Sequence, residues 1–448
     1  MNQHNPEFIS PQSAPRQAPP SSVDSESDQN PAPDQKPVPD QNPVPDRPVE
    51  PPAPPSPPLT LRDPLPPVVD TAAALAETCA AVARGSGPVA LDAERASGYR
   101  YSQRAYLVQL RREGSGTHLV DPIGFGGLED LDDAIGDAEW ILHAATQDLP
   151  CLAEIGLRPR ALFDTEHAGR LLNLPRVGLA TLVEHFLGRS LAKEHSAADW
   201  STRPLPEPWL VYAALDVEVL VELRDLLDAE LREAGKREWA AQDFEALLSF
   251  TGPPEKTERW RRTSGMHRVR GRRTLALVRA LWLTRDEIAE HRDTTPGRIL
   301  PDAALVEIAT AAPQDMATLK GLRGLRGQGP RRYLSQWHDA VENALALPEA
   351  DLPTVGQRTD GPPPPRAWVD KFPEAAARLA RCRDAVTGLA EEHDLPTENL
   401  ISPHLVRALA WEPPAEVSTA TVSSVLRDGG ARPWQIDLVG DPLVEALV

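Results

Sequence analysis

The sequence predicts an α/β domain built around a mixed sheet, with two small all-helical blocks after it and a disordered proline-rich tail before it. Three observations carry this reading. Between residues 68 and 250, strand-like apolar runs come first and then alternate with helical patterns, as a sheet flanked by helices requires. From residue 254 onward the patterning is helical, broken by Gly361-Pro362-Pro363-Pro364-Pro365. Residues 1–67 hold 21 of the 48 prolines.

The tail repeats a short unit, PAPDQK, PVPDQN, PVPDR. Proline removes backbone donors and fixes φ, and the stretch is too polar to build a core, so polyproline II character without a fold is expected. A tether is the simple role; docking to a proline-binding protein partner is the alternative. A helix is expected from Thr71 to Arg84, then strands at 88–92, 105–111 and 117–121. Gly114-Ser115-Gly116 joins the last two as a hairpin. Leu128–Ile135 reads as helix, Glu139–His143 as strand, and one long helix is expected near 207–233. Gly252-Pro253-Pro254 closes this domain. The helical blocks are placed at 254–347 and 366–448, the second opening at Trp368 and Phe372.

At 448 residues the chain holds about two to three domains. Cys79, Cys151 and Cys382 are scattered, so neither a zinc site nor a disulfide framework is indicated. The N-terminus lacks a basic, apolar leader, and no apolar run approaches the roughly 18 residues of a membrane span. A cytoplasmic, monomeric protein is the expectation. The net charge of −19 is unevenly spread: residues 64–253 carry −13, whereas residues 254–347 carry +6. That basic island in an acidic chain suits contact with a polyanion.

Four acids in three segments carry the chemistry. Asp92 and Glu94 lie in VALDAER, Asp148 in WILHAATQDL and Asp216 in VYAALDVEVL, with Tyr212 four residues before Asp216. On a strand, positions i and i+2 share a face; on a helix, i and i+4 do. Carboxylates that converge repel one another unless cations neutralise them, and ligation by oxygen alone suits Mg²⁺ or Mn²⁺. Taken singly, Asp148 would cap the helix at Leu149, Tyr212 would be core and Asp216 a solvated helix face. The joint pattern favours a site.

These residues resemble the exonuclease motifs of the DEDD superfamily, in the subgroup with a tyrosine in its third motif. Gln109-Leu110, Leu142-His143-Ala144, Phe163-Asp164-Thr165, the run from Lys193 through Asp199-Trp200, Arg203-Pro204-Leu205 and Asp216-Val217 extend the likeness to the ribonuclease D family over residues 68–245. The helices around Leu281–Ile288 and Ile299–Leu305 resemble an HRDC domain, and residues 366–448 a second, diverged one. The resemblance implies a ribonuclease H-like fold and a 3′–5′ exoribonuclease releasing nucleoside 5′-monophosphates, with structured RNA such as transfer RNA precursors as substrate. It also implies two divalent ions, Asp92 bridging them, Glu94 and Asp216 completing the ligands of the first ion, Asp148 helping to hold the second ion, and Tyr212 orienting the attacking water. A DNA 3′ exonuclease and a non-catalytic RNA-binding scaffold are the competing readings.

Arg95 and Trp209 depart from the family pattern, which has an aromatic residue and a glutamine there. Arg95 would grip a phosphate. Gln109, His143 and Lys193 are further candidate substrate contacts. In the basic block, Arg272, Arg273, Arg323 and Arg326 are candidates for holding RNA phosphates, the last two in a flexible glycine-spaced loop. Asp164 reads as a helix start.

Overall fold

The computed structural model describes residues 56–192, 195, 197–254, 256–356 and 361–448. The expected tail therefore lies outside the described residues up to position 55. From Ser56 onward the chain is docked, not loose: Leu59 N donates to Ser190 O at 2.8 Å and Ser190 N to Pro57 O at 2.9 Å. The boundary expected at residue 67 thus shifts toward the N-terminus, because Ser190 pairs with the backbone there.

The sheet comprises β1 (Val68–Val69), β2 (Ser86–Arg95), β3 (Ala105–Glu113), β4 (Gly116–Val120), β5 (Trp140–Leu142) and β6 (Leu162–Asp164) in the order β1-β4-β3-β2-β5-β6. β2–β3 and β3–β4 are antiparallel, whereas β1–β4, β2–β5 and β5–β6 are parallel, so the sheet is mixed. Helix α1 (Ala72–Ala83) starts where Thr71 accepts a hydrogen bond from Ala74 N. With α2 (Glu129–Ala134) and α3 (Leu149–Glu154) it covers the face carrying Val89, Leu91, Val108 and Leu110.

Residues of opposite parity face the other layer: α4 (Thr165–Leu171), α5 (Leu179–Leu187), α6 (Glu207–Glu218), α7 (Leu220–Glu233) and α8 (Arg237–Leu247). The single helix expected over 207–233 is two helices, interrupted at Val219 (φ −118°, ψ 2°). The break lets α6 lie over β2, β3 and β4 while α7 packs on α4 and α5. It falls three residues after Asp216.

The first helical block holds α9 (Arg272–His291), α10 (Pro296–Ile299), α11 (Asp302–Ala311), α12 (Met316–Gly321), α13 (Gln328–Arg331) and α14 (Leu334–Ala346) around Leu281, Leu305 and Trp337. The glycine-spaced segment, expected as a flexible loop, forms a 3-10 turn at Arg323–Leu325 and then α13. The Glu307 carboxylate accepts from Arg323 N and Gly324 N at 3.1 and 2.8 Å. Gly324 lies so close to α11 that a Cβ there would sit 2.4 Å from Ala304 Cβ. Close approach, not flexibility, explains this glycine.

The block docks on the β2–β3 loop. Asp293 accepts from Ser102 N at 2.9 Å and from Tyr106 Oη at 3.2 Å, and Arg298 lies 4.3 Å over the Tyr99 ring. The second block holds α15 (Trp368–Lys371), α16 (Pro373–Glu392), α17 (Thr397–Leu400), α18 (Pro403–Trp411), α19 (Thr419–Asp428) and α20 (Pro433–Leu447). It shares one core with α7 and α8. Trp239 and Trp434 stack at 4.8 Å, a geometry worth about 0.5–1.5 kcal/mol beyond burial. Lys236 Nζ donates to Leu171 O and Asp394 O, both at 2.8 Å, pinning the block to α4. No described helix is long and apolar enough to cross a membrane.

Candidate active site

Strand β2 is central, paired on both sides, and it presents Asp92 and Glu94 toward α6. Asp92 lies opposite Gln109, and Gln109 Nε2 donates to Asp92 Oδ2 at 2.9 Å. A register shift between Glu94 and Arg95 ends regular pairing immediately beyond the two acids.

Asp148 arrives from the β5 side. After Leu142 the chain turns through Ala144, a non-glycine residue in the left-handed region (φ 59°). Asp164 holds that turn: its carboxylate accepts from Ala144 N at 3.0 Å and Ala145 N at 2.8 Å, and it caps α4 through Glu166 N and His167 N. The capping alternative for Asp148 is not met, since it precedes α3 without a side-chain cap bond. His143 lines the same cleft, with Nδ1 2.9 Å from Thr165 Oγ1. Thr165 Oγ1 also lies 3.2 Å from Leu142 O, so the ring is held through Nδ1 and Nε2 is left without a protein partner among the described residues. Burial lowers the imidazole pKa and favours the neutral form.

Tyr212 and Asp216 come from α6, four residues apart on one face of the helix. Their helix starts after Pro206, with Pro208 in its first turn, where a missing N–H is harmless. The Tyr212 ring is seated among His195 at 5.9 Å and Trp200 at 6.4 Å, and Trp209 packs on Trp200 at 5.4 Å. Trp209 thus fills an aromatic cluster where the family pattern has an amide.

Carboxylate oxygens of Asp92, Glu94 and Asp216 lie within 4.8 Å of one another. Asp148 is buried beside them and interacts with Asp92. Among the described residues Arg95 is paired with them, Nη2 lying 3.9 Å from Asp148 Oδ1. Burial pushes the Asp92 carboxyl up to about 6, against the Ala93 N–H, Arg95 and Gln109. Glu94 is pushed up to about 10 by burial and then by Asp92, Asp216 and Asp148. Asp148 and Asp216 rise well above the ordinary range through burial and Asp92. Burial and the same carboxylates raise Tyr212, which keeps its hydroxyl protonated. The four crowded carboxyls therefore hold protons that a bound cation would displace. An all-oxygen donor set of this kind fits a hard divalent cation.

The cleft over these groups measures about 530 Å³ and is walled on its apolar side by Leu179, Leu191 and Leu220. Arg95 and His143 line it. Gln109 does not: it is fully buried and serves Asp92. Lys193 lies outside the described residues. Arg272 donates to Pro353 O and Leu352 O, and Arg273 to three carbonyls after and within the last turn of α14 and to Glu349, so both are turned inward. Arg323 and Arg326 are exposed. The pattern did not reveal that Asp164 shapes the approach to Asp148, because the contact spans some 20 positions. Nor did it reveal the Arg203 guanidinium, which grips Asp121 at 2.6 and 2.9 Å and Tyr106 O at 2.7 Å, anchoring the loop into α6.

Family comparisons agree with this layout. Residues 66–232 match the 3′–5′ exonuclease family, residues 274–341 the HRDC domain, and residues 361–447 a family described as the 3′ to 5′ exonuclease C-terminal domain. The chain is 33% identical to ribonuclease D of Gluconacetobacter diazotrophicus over 332 residues, covering 72% of this chain and 81% of that protein. It is 33% identical to ribonuclease D of Zymomonas mobilis, covering 66% and 76%. Among solved structures, a protein from Bifidobacterium adolescentis superposes with a TM-score of 0.81 at 39% identity, covering 88% of this chain and 99% of that one. Escherichia coli RNase D, described as an exoribonuclease involved in structured RNA processing, superposes at 0.62 with 25% identity, covering 85% and 98%.

Proposed function

The chain belongs to the ribonuclease D family of 3′–5′ exoribonucleases, and from that premise we propose how its residues divide the work. The carrying observation is the convergence of Asp92, Glu94 and Asp216 within 4.8 Å, with Asp148 beside them. Two divalent ions, Mg²⁺ or Mn²⁺, held there would supply Lewis-acid polarisation of the phosphoryl and leaving oxygens. Asp92, held by Gln109, would contribute to both ions, Glu94 and Asp216 would help hold one, and Asp148 the other.

Tyr212 keeps its proton, so its hydroxyl orients the attacking water by hydrogen bonding and does not act as a base. Water attacks the terminal phosphorus, the 3′ oxygen of the preceding nucleotide leaves with a proton, and a nucleoside 5′-monophosphate is released. Arg95, on the cleft wall beside Asp148, meets the phosphate. His143 Nε2 hydrogen-bonds a sugar hydroxyl or a water at the 3′ end. The 254–347 block adds affinity through exposed Arg323 and Arg326, while Arg272 and Arg273 hold the block together. The substrate is RNA with a free 3′ end, and transfer RNA 3′ processing is the role that suits a family acting on structured RNA. Incubating the protein and Mg²⁺ with 3′-extended transfer RNA and length-matched single-stranded DNA tests this. Faster release of mononucleotides from the RNA is expected; preference for DNA would contradict it.

A further inference from the structure

Glu218 sits two residues beyond Asp216 at the end of α6 and is almost completely buried. It is held from two directions. Arg111 on β3 places Nη1 3.5 Å from Glu218 Oε2, and the same Nη1 donates to Thr117 Oγ1 at 2.8 Å on β4. From the N-terminal segment, Arg62 N donates to Glu218 Oε1 at 3.3 Å, and Arg62 Nε lies 3.6 Å from that oxygen. Arg111 and Gln109 share a face of β3, two positions apart. One strand therefore fixes both sides of the site, Gln109 holding Asp92 and Arg111 holding the helix that carries Asp216.

The segment bearing Arg62 reaches the cleft by a second route. Ser56 O accepts from Ser190 Oγ at 3.0 Å, and Leu59 N donates to Ser190 O at 2.8 Å. The next residues, Leu191 and Ala192, wall the cleft. Residues 56–62 thus form a strap across the end of α6 and the base of the cleft wall.

We propose that Glu218, clamped by Arg111 and by Arg62 of this strap, is a positioning residue that sets α6 against the sheet and so places Asp216 beside Asp92. The proposal rests on the reading of Asp216 as a metal-facing carboxylate. Glu218 itself touches neither substrate nor metal. Removing the clamp lets the end of α6 shift, which weakens metal binding without altering RNA recognition.

The test uses the full chain and Mn²⁺ alone, with affinity read by titration calorimetry. Glu218→Gln weakens Mn²⁺ binding about tenfold, the usual scale for losing support behind a metal ligand. The surface variant Arg62→Met keeps the core and the Arg62 N–H on Glu218 Oε1, removes the guanidinium 3.6 Å from that oxygen, and weakens Mn²⁺ binding by less than Glu218→Gln does. In both, KM for RNA stays at the wild-type value. Glu222→Gln, which removes only the outer Arg62 pair at 2.7 Å, leaves Mn²⁺ affinity unchanged. Wild-type Mn²⁺ affinity in Arg62→Met overturns the proposal, whether or not Glu218→Gln folds. So does equal weakening in Glu222→Gln. Asp216→Asn separates the two levels: if it too binds Mn²⁺ as wild type does, the metal reading fails, whereas loss there with retention in Arg62→Met rejects only the clamp.

Discussion

Gln109 and Asp92 face each other across the β2–β3 pair, and the Gln109 amide donates to Asp92 Oδ2 at 2.9 Å. The bond orients the carboxylate proposed above as shared by the ions, and it uses a fully buried amide that substrate cannot reach. Gln109→Ala should therefore lower metal affinity about 10- to 100-fold and leave KM for RNA unchanged. A raised KM with unaltered metal dependence would assign Gln109 to substrate instead.

Tyr212→Phe keeps the ring among His195 and Trp200 and removes only the hydroxyl. Loss of one positioned polar contact at the reacting centre predicts a fall in turnover of roughly 10²–10³ with little change in melting. Single-turnover kinetics at wild-type rate would return Tyr212 to a packing role.

The carboxylates make metal-free stability depend on pH in an unusual direction. Asp92 titrates near 6 in the fold against an ordinary 3.8, and Glu94 near 10 against 4.5. Each folded carboxyl holds its proton longer than the unfolded one, so these groups favour the fold at low pH and lose that contribution as pH rises through those values. Measured against Glu94→Gln, the metal-free wild type should lose melting temperature progressively above about pH 4.5. Added Mg²⁺ should raise melting more at pH 8 than at pH 5, because bound metal replaces those protons. Identical pH profiles for wild type and Glu94→Gln would contradict the carboxylate crowding.

Deleting residues 1–55 removes the proline-rich tail and none of the described contacts, so melting and turnover on short RNA should not change. Extending the deletion through residue 62 removes the strap and leaves Glu218 with Arg111 alone. Losing the Arg62 contacts to buried Glu218 together with the packing of Leu59 and Leu61 should lower melting by about 2–4 °C. Equal melting of the two deletions would show that the strap carries no stability.

Cutting the chain after Phe250 would be a poor probe of the helical blocks, because Trp434 and its neighbours share a core with α7 and α8. Arg323→Glu combined with Arg326→Glu changes only exposed charge. It should weaken binding of long RNA and make the salt slope shallower by about one to two, while hydrolysis of a short oligonucleotide at saturation survives. Unchanged affinity and slope would remove these arginines from the RNA path.

The acids were legible in the sequence because strand and helix periodicities fix which residues share a face. That was enough to foresee Asp92 with Glu94 and Tyr212 with Asp216. The clasp of Asp164 on Ala144 and the clamp of Glu218 by Arg62 were not legible, since their partners lie some 20 and 156 positions apart with no periodic signal between them. Arg272 and Arg273 looked like RNA contacts because charge alone does not say which carbonyls lie within reach. The break at Val219 escaped because α6 and α7 both read as helix; only their packing separates them, α6 over β2, β3 and β4 and α7 over β2 and β5 against α4 and α5.

If the four carboxylates form one divalent-metal site for 3′-terminal hydrolysis, removing either the metal or the Asp92 charge stops the reaction. The most direct test follows a 3′-hydroxyl RNA labelled at its 5′ end, comparing wild type with Asp92→Asn in Mg²⁺ and in chelator. Wild type with Mg²⁺ should shorten the RNA one nucleotide at a time and release nucleoside 5′-monophosphates, and chelator should stop it. Asp92→Asn should melt no lower than metal-free wild type, since it relieves repulsion, yet show no shortening. Shortening by Asp92→Asn at the wild-type rate would contradict the account.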